Sequence, residues 1–299
     1  MTLRLISLGM SALDCIFTLD AIPATPVKVL ASGYRECGGG MGANAAVAAA
    51  RLGASAEYWG RVGNDALGQR IVDDLVAEGV NVDHVRRLPG CTSPTAAILV
   101  DRNGERLICA YNDPRLDADA SWLPVDRVAR ADIVLADVRW FQGALRLLSE
   151  ARRLGKTALL DADVGPPAET HALMQVASHV AFSAQGIAAA FGPCDIGSAL
   201  AQADATAPGL VGVTLGPEGF LWREHGREHR AEALAIRAID TLAAGDVWHA
   251  AFGVALAEGQ PVAMAARFAN VAAAIKCERP GGRLGAPTRA DVERRLKEQ

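Results

Sequence analysis

The segment from residue 239 to residue 252 constrains the fold of this chain more than any other. It reads IDTLAAGDVWHAAF, so an apolar start leads through three small residues to an acid, Asp246. From Val247 onward, apolar side chains recur three and four residues apart, which predicts a helix. Gly259 and Pro261 end that helix in the expected order. The segment therefore predicts a tight turn that opens into a helix carrying an acid in its first turn.

Asp246 is the first candidate for chemistry. The helix dipole favours a carboxylate in this position. Because Ala243, Ala244 and Gly245 have little or no side chain, a ligand can approach the free N–H groups of the first turn, as phosphate does at other helix N-termini. A carboxylate beside such an anion hole can take a proton from an alcohol while the hole stabilises a transferred phosphoryl group. The alternative is an ordinary helix-capping acid, which the run of small residues makes less favoured.

Length and composition limit the classes of protein to consider. The 299 residues suit one large or two small domains, and 51% hydrophobic with only 5% aromatic residues indicates an Ala/Val/Leu interior with helices close to a sheet. The net charge of −4 and the lack of long basic runs argue against a nucleic-acid partner. No apolar run approaches membrane-spanning length, and the N-terminus resembles a buried strand rather than a signal peptide. We expect a soluble, cytoplasmic protein.

The chain beyond residue 130 alternates apolar strands with helices. Continuous apolar strands in this arrangement predict a parallel sheet covered by helices on both faces. Ligands of such sheets bind beyond the carboxyl ends of the strands. The polar and small residues at these ends are candidates for the site: Asp137, Arg139, Asp161, Asp163, Ser183, Thr214, Gly216 and Gly219.

A small accessory sheet is expected before residue 130. Residues 3–9 predict a first core strand, and short extended pieces follow at 16–19 and 27–30. Residues 96–100 and 106–111 flank Asn103-Gly104, which is a hairpin signal. We expect segments of about 14–37 and 94–113 to form this sheet, and the remainder of residues 1–299 to complete a single α/β domain.

A glycine-rich stretch, GGGMGAN at 38–44, precedes an Ala-rich helix that ends near Gly53. It offers a second helix N-terminus without bulky side chains. Gly38, Gly40 and Ala43 also fit the dinucleotide pattern G-x-G-x-x-A. That match is the only support for a nicotinamide-dependent oxidoreductase. It is weak, because no first βα turn precedes it as the dinucleotide pattern requires.

Three motifs resemble the ribokinase (PfkB) family of carbohydrate kinases, and the resemblance extends over nearly the whole chain. The segments GGMGAN at 39–44 and ARLG at 50–53 resemble the N-terminal signature of that family. The segment DTLAAGD at 240–246 resembles its C-terminal signature. The segment VTLGPEG at 213–219 resembles an element on its nucleotide side.

The resemblance implies a ribokinase-like, Rossmann-type α/β/α sandwich with a small β-sheet lid, and phosphoryl transfer from Mg-ATP to a sugar hydroxyl. Asp246 would be the base, with Ala243, Ala244 and Gly245 as the anion hole. The nucleotide would bind mainly within residues 180–285. The implied sugar ligands are Asp14, Gly39, Gly40 and Asn44, and the implied nucleotide ligands are Thr214, Gly216, Gly219 and Asn270.

The cations are less clearly placed. Relatives often carry Asn-x-x-Glu near magnesium, whereas this chain has SAQG at 183–186. Asp161 or Asp163, which offer oxygen ligands, would then bind magnesium. The alternative is that both are ordinary acids at strand ends. Asp240 and Leu242 match positions whose main-chain oxygens often hold a monovalent cation, such as K⁺, in relatives.

Two departures bear on the sugar. Ribokinase itself has Lys at the place of Met41 and Glu at that of Arg139, which argues against plain ribose. A guanidinium at Arg139 suits a carboxylate, sulfonate or phosphate, and Lys28 could add a second positive charge. The alternatives are a salt bridge from Arg139 to an acid and a solvated Lys28. The segments ADVRW at 136–140, FS at 182–183 and RPGGR at 279–283 resemble the sulfofructose kinase branch, although Ala110 stands where that branch has Asn.

We therefore expect an ATP-dependent kinase of a ketose or acidic sugar. A kinase of a neutral sugar (fructose- or ribose-like) or of a nucleoside is the nearest alternative, and a non-catalytic sugar- or nucleotide-binding regulator is an alternative of a different class. In relatives the lid sheets often pair between subunits, so a homodimer through the lid is also expected.

Overall fold

The computed structural model describes residues 2–102, 105–116, 118–224 and 226–298. Within them the strands form one nine-stranded and one four-stranded sheet. The strands are β1 (Arg4–Gly9), β2 (Ala12–Thr18), β3 (Gly33–Gly39), β4 (Ser55–Gly63), β5 (Asn81–Leu88), β6 (Thr95–Val100), β7 (Arg106–Tyr111), β8 (Ile133–Asp137), β9 (Thr157–Ala162), β10 (His179–Ser183), β11 (Leu210–Thr214), β12 (Phe220–Glu224) and β13 (Arg227–Ala231).

The large sheet confirms the predicted core. Its order is β13-β12-β11-β10-β9-β8-β1-β4-β5. The strands from β11 to β5 in this order pair in parallel, and β12 and β13 add two antiparallel strands at one edge. Seven parallel strands, β1, β4, β5 and β8–β11, therefore direct their carboxyl ends to one edge of the sheet, where ligands of such sheets bind.

Helices cover both faces of this sheet. They are α1 (Met41–Arg51), α2 (Ala66–Ala77), α3 (Phe141–Arg153), α4 (Pro167–Met174), α5 (Ala184–Phe191), α6 (Ile196–Thr206), α7 (Ala244–Ala257), α8 (Val262–Cys277) and α9 (Arg289–Lys297). On one face α3–α6 bury the apolar side chains of the strands, and on the other α1, α7, α8 and α9 do so. No helix of the described residues is both long and apolar enough to span a bilayer.

The four-stranded sheet, called the lid sheet below, has the order β3-β2-β6-β7. The expected extended piece at 27–30 is wrong, because residues 19–32 contain no strand and the neighbour of β2 is β3 instead. The polar sequence of β3, GYRECGG, lacks the alternation that identifies a strand, and its pairing with β2 fixes its conformation. The hairpin signal at Asn103-Gly104 lies outside the described residues.

Candidate active site

The N-terminus of α7 is built on an unusual backbone conformation. Ala243 adopts φ 64°, the left-handed region that a residue with a Cβ rarely enters. The first N–H groups of a helix have no partner within the helix, and that of Ala244 donates to the main-chain oxygen of Thr241 over 3.3 Å. Apart from its chain neighbours and the backbone of its own helical turn, no heavy atom of the described residues lies within 4 Å of the place where a Cβ would stand on Gly245. The turn is therefore open on the side from which an anion would approach.

Asp246 of α7 is joined to α1 by a hydrogen bond. The amide Nδ2 of Asn44 donates to its Oδ2 over 2.7 Å. Asn44 is buried, and its Oδ1 has no hydrogen-bond partner among the described residues. Such an unpartnered oxygen is costly in a protein interior unless a ligand supplies a donor, as a sugar hydroxyl would.

The surroundings of Asp246 favour its protonated form. Burial raises the pKa of its carboxyl to about 7, and the negative charge of Asp161 adds to the rise, whereas the hydrogen bond from Asn44 opposes it. A carboxyl with a pKa near neutrality is suited to accept a proton at physiological pH.

Asp14 of β2 and Gly39 of β3 lie against one another. A Cβ on Gly39 would collide with the Asp14 carboxylate, so only glycine permits this approach. Burial raises the pKa of Asp14 to about 6, and the guanidinium of Arg283 partly opposes the rise. Gly40 follows as the N-cap of α1 with φ 89°, which favours glycine. Asp14, Gly39, Gly40 and Asn44 thus follow one continuous path across β2, β3 and the start of α1.

Asp137 at the end of β8 connects this strand to the starts of β2 and α1. Its carboxylate accepts hydrogen bonds from the main-chain N–H groups of Met10, Gly42 and Arg139, over 2.8 to 3.0 Å. The carboxylate is completely buried, and burial raises its pKa. It fixes the starts of β2 and α1 relative to β8.

Asp161 at the end of β9 faces His249, which lies on α7 one turn after Asp246. The Nδ1 atom of His249 lies 3.3 Å from Asp161 Oδ2 and 2.8 Å from the main-chain oxygen of Gly245, and its Nε2 atom is 3.0 Å from the oxygen of Ala181. Burial raises the pKa of Asp161 and lowers that of His249. The histidine connects Asp161 to the turn at Gly245. Sequence reasoning missed it because a lone His on an apolar helix face gives no signal of a role.

Asp163 and Arg139 form a partly exposed pair. The guanidinium Nη2 of Arg139 lies 3.2 Å from Asp163 Oδ2, and the side chains are 39% and 31% exposed. The hydroxyl of Ser183 donates to the other oxygen of Asp163 over 2.8 Å. The structure thus shows the salt bridge that was the alternative role of Arg139. In the described part of the chain, no group of three or more His, Cys, Asp or Glu side chains is arranged to hold a metal ion.

The nucleotide candidates divide into two groups. Thr214 ends β11, and its hydroxyl donates to the main-chain oxygen of Phe182; Gly216 and Gly219 follow in a 3-10 turn with positive φ. Asn270 is different, because both hydrogens of its amide are used on the oxygens of Ala231 and Glu232 and its Oδ1 accepts from Trp248.

The polar atoms of the Asn270 side chain are therefore engaged within the protein. Asn270 is 5% exposed, and its amide braces the chain at 231–232. A polar residue on an Ala-rich helix looks the same in sequence whether it faces a ligand or a neighbouring loop.

The lid sheet encloses a cavity against the segment that precedes α7. The cavity measures about 250 Å³ and is lined by strands of the lid sheet together with residues 239–242 and Pro280-Gly281. The guanidinium of Arg106 on β7 donates to the hydroxyl of Thr241. Lys28 is exposed in the segment between β2 and β3.

The two residues matched to a monovalent cation lie in this segment. The carboxylate of Asp240 accepts from the main-chain N–H groups of Leu242, Gly281 and Gly282, over 2.8 to 2.9 Å. The main-chain oxygen of Asp240 accepts from the Lys276 ammonium over 2.7 Å.

Comparison with known proteins gives consistent results. Residues 2–289 match the family described as pfkB family carbohydrate kinase. A ribokinase of Bacillus subtilis (strain 168) is 29% identical over 294 residues, which cover 97% of this chain and 98% of that protein. A crystal structure from Agrobacterium tumefaciens, described as a candidate ribokinase, superposes with a TM-score of 0.96 at 36% identity and covers 100% of this chain and 98% of that one. The Arabidopsis thaliana ribokinase complexed with ribose and ATP shares the fold, with a TM-score of 0.86 at 24% identity over 99% of both chains.

Proposed function

The chain belongs to the pfkB family of carbohydrate kinases, and from this premise we propose that it transfers the γ-phosphoryl group of ATP to a hydroxyl of a ketose or acidic sugar, with Asp246 as the base. One observation carries the proposal. A half-buried carboxyl with a pKa of about 7 stands in the first turn of α7, directly after an open turn of small residues. A non-catalytic regulator would have no need of such a carboxyl.

The sugar binds between the lid sheet and the start of α1. Asp14 and the free oxygen of Asn44 accept hydrogen bonds from its hydroxyls, and the glycines at 39 and 40 allow it to approach the backbone. The Asn44 amide holds Asp246 toward this path. Asp246 accepts the proton of the attacking hydroxyl as the oxygen–phosphorus bond forms.

The nucleotide binds on the other side of α7, along the edge formed by the ends of β10 and β11. Thr214, Gly216 and Gly219 line this side, and Asn270 supports it from behind. The N–H groups of the first turn of α7, beginning at Gly245 after the turn at Ala243, stabilise charge on the phosphoryl group during transfer.

Magnesium would bind at the acidic edge of the sheet. Asp161 and Asp163 offer carboxylate oxygens, and the mutual repulsion of Asp161, Asp163 and Asp137 raises the pKa of Asp161 beyond the effect of burial. A divalent cation would relieve this repulsion. Asp163, the more exposed of the two, would hold Mg-ATP, and Asp161 would orient His249. The metal would neutralise charge on the phosphate oxygens.

Arg139 decides between two classes of sugar. Its guanidinium uses one nitrogen on Asp163 and remains 39% exposed, so it could bind a sulfonate, carboxylate or phosphate on the sugar, with Lys28 as a second positive charge. A sulfofructose-like sugar fits this description. The salt bridge to Asp163 and the ribokinase named among the relatives favour a second candidate, a neutral ribose- or fructose-like sugar.

A panel of sugars tests both candidates. ADP release would be measured with Mg-ATP and ribose, fructose, tagatose, 2-keto-3-deoxygluconate, fructose phosphates, sulfofructose and several nucleosides. Preference for an acidic sugar, with KM raised roughly 10- to 100-fold in Arg139→Gln but unchanged in Arg146→Gln, supports the first candidate. Arg146 is an exposed residue of α3 and serves as the control. Equal turnover of neutral sugars, insensitive to Arg139→Gln, supports the second.

We also propose that the chain forms a homodimer through the lid sheet. The strand registers place Phe17, Tyr34, Leu99, Leu107 and Tyr111 on one face of this sheet, because side chains alternate between the faces of a strand. Three of them, Tyr34, Leu107 and Tyr111, are exposed. Contiguous exposed apolar surface of this kind marks interaction sites.

A further inference from the structure

A fully buried ammonium group stands beside the loop that leads to Asp246. Lys276 on α8 is 0% exposed. Its Nζ atom lies 2.7 Å from the main-chain oxygen of Asp240, 3.4 Å from that of Arg279, and 3.4 Å from Asp240 Oδ2. An ammonium group has three N–H bonds, and here it faces three oxygens. Because a buried charge is costly without such partners, the arrangement indicates a specific role.

The oxygens around Lys276 belong to segments that must be held together. Asp240 begins the loop 240–242, and its carboxylate also binds the main-chain N–H groups of Gly281 and Gly282. Arg279 lies at the end of α8. The ammonium therefore joins α8 and the chain at 279–282 to the loop that continues into Ala243, whose left-handed conformation opens the anion hole.

These residues do not fit a monovalent cation. A potassium ion in a protein is held by several oxygens that replace its water shell. The Asp240 main-chain oxygen, which the resemblance assigns to such an ion, is already used by Lys276. A second cation there would share one carboxylate with the ammonium and be repelled by it. Arg106, which also acts electrostatically on Lys276, adds further positive charge.

We propose that Lys276 is a built-in cation that positions the loop 240–242, so that this kinase works without K⁺ or any other monovalent cation. Lys276 does not touch the reacting atoms; it acts through the loop, on the anion hole. The kinetic part of this inference rests on the proposed function. The structural part does not, because cation binding and stability can be measured without a substrate.

The first experiment measures thermal unfolding of wild type, Lys276→Ala and Lys276→Met. Each is compared in potassium chloride and in tetramethylammonium chloride at equal ionic strength. Lys276→Ala leaves space for an ion, so K⁺ or NH₄⁺ should raise its Tm by about 3 °C or more through binding to the folded state. Lys276→Met fills the space without a charge and should show no such rise. Wild type and Lys297→Ala, an exposed control, should not respond to K⁺.

The second experiment measures kcat with the preferred sugar and Mg-ATP in the same salts. Wild-type kcat should be the same in both. In tetramethylammonium chloride Lys276→Ala should lose roughly 10- to 100-fold in kcat, because the loop is no longer held in position. K⁺ or NH₄⁺ should restore most of this loss in Lys276→Ala but none in Lys276→Met.

Three results would overturn the proposal. The first is activation or stabilisation of the wild type by K⁺, since it would show that an ion binds despite Lys276. The second is full activity of Lys276→Ala without a monovalent cation. The third is a folded but inactive Lys276→Ala that no cation rescues or stabilises. Wild-type activity on none of the sugars would instead count against the proposed function, and the unfolding measurements would still decide on Lys276.

Discussion

At the scale of the residue, the same side chain serves different purposes in different surroundings. Asp137 is buried and accepts three main-chain N–H groups, so it joins elements. Asp240 is partly buried, and burial alone would raise the pKa of its carboxyl. Hydrogen bonds from the main-chain N–H groups of Gly282 and Leu242 and the charge of Lys276 outweigh this effect and lower the pKa. Asp246 is held by one amide, and burial raises its pKa to about 7. Of these three acids, Asp246 is the one with the environment of a base.

Replacement of Asp246 tests this assignment. Asp246→Asn keeps the size and the hydrogen bonding of the side chain but cannot accept the proton of the sugar hydroxyl. We expect kcat to fall at least about 10³-fold while ATP and sugar still bind, as isothermal titration calorimetry would show. Asp126→Asn, at an exposed acid far along the chain, should behave as wild type. If the activity of Asp246→Asn were close to that of wild type, Asp246 would not be the catalytic base.

The pH dependence of catalysis follows from the same pKa. Because the base must be ionised, kcat/KM should fall with decreasing pH below about 7, the value to which burial raises the pKa of Asp246. Asp14, with a pKa raised to about 6, should add a further loss at lower pH as it ceases to accept hydrogen bonds from the sugar. A flat profile of kcat/KM between pH values of about 5 and 8, at saturating Mg-ATP, would contradict both roles.

The stability of the fold should change with pH in the opposite sense. The pKa of Asp246 is raised in the folded state, from 3.8 to about 7, so its ionisation destabilises the fold. The stability that the protonated carboxyl contributes is fully present below about pH 4, decreases as the pH rises, and is lost once the pH passes about 7. Asp246→Asn, which cannot ionise, should therefore raise the Tm more at about pH 8 than at about pH 5, as scanning fluorimetry would measure. An equal shift at both pH values would show that ionisation is not its cause.

At the scale of the element, the sequence predicts the N-terminus of α7, but it predicts the lid sheet only in part. The run of small residues, the acid and the helical period are all local, so they identify the turn without knowledge of the rest of the fold. The parallel core was predicted for a similar reason, because buried strands such as β8 and β10 are apolar throughout. By contrast, β3 forms through pairing with β2, and its polar sequence gives no local signal.

Long-range contacts explain the residues that sequence reasoning missed. Lys276 looks like any lysine on an Ala-rich helix until the fold brings Asp240 to it, 36 positions away. The bond between Asn44 and Asp246 joins residues 202 positions apart. The roles of Lys276, His249 and the amide of Asn270 depend on which loop or strand end packs against the helix, and helical periodicity does not contain this information.

Gly245 links the stability of α7 to its proposed function. Beyond its chain neighbours and its own helical turn, a Cβ there would meet no atom of the described residues within 4 Å, so Gly245→Ala should raise the stability by roughly 0.5–1 kcal/mol, because alanine favours the helix. The added methyl group would stand where the phosphoryl group is expected, so kcat should fall by roughly 10²-fold or more. Measuring Tm and kcat on the same preparation would test whether stability rises while activity falls.

Gly197→Ala provides the matched control. Gly197 is likewise the second residue of its helix, α6, and its nearest neighbour would be the Asp195 carboxylate at 3.3 Å. It should gain similar stability without loss of kcat. Unchanged kcat in Gly245→Ala would mean that no phosphoryl group occupies that turn.

At the scale of the whole molecule, the lid sheet connects the site to the outer surface. One of its faces lines the cavity beside residues 239–242, where Arg106 reaches Thr241. The opposite face carries the apolar side chains on which the proposed dimer depends. β7, at the edge of the sheet, is exposed along its whole length and so presents unpaired backbone groups as well.

Leu107 offers the sharpest test of this dimer. It is 46% exposed on the outer face of β7, so Leu107→Asp would bury a charge in the interface but leave it solvated in a monomer. We expect wild type to sediment as a dimer and Leu107→Asp to dissociate at least about 100-fold more readily. Val76→Asp, at a 54% exposed position on α2, should leave the dimer intact. If the monomeric variant also loses kcat while its Tm is preserved, the partner subunit supports the lid over the sugar, because an unpaired lid edge would then close the site less firmly. A wild-type protein that sediments as a monomer would leave the apolar face of the lid sheet without the partner proposed for it.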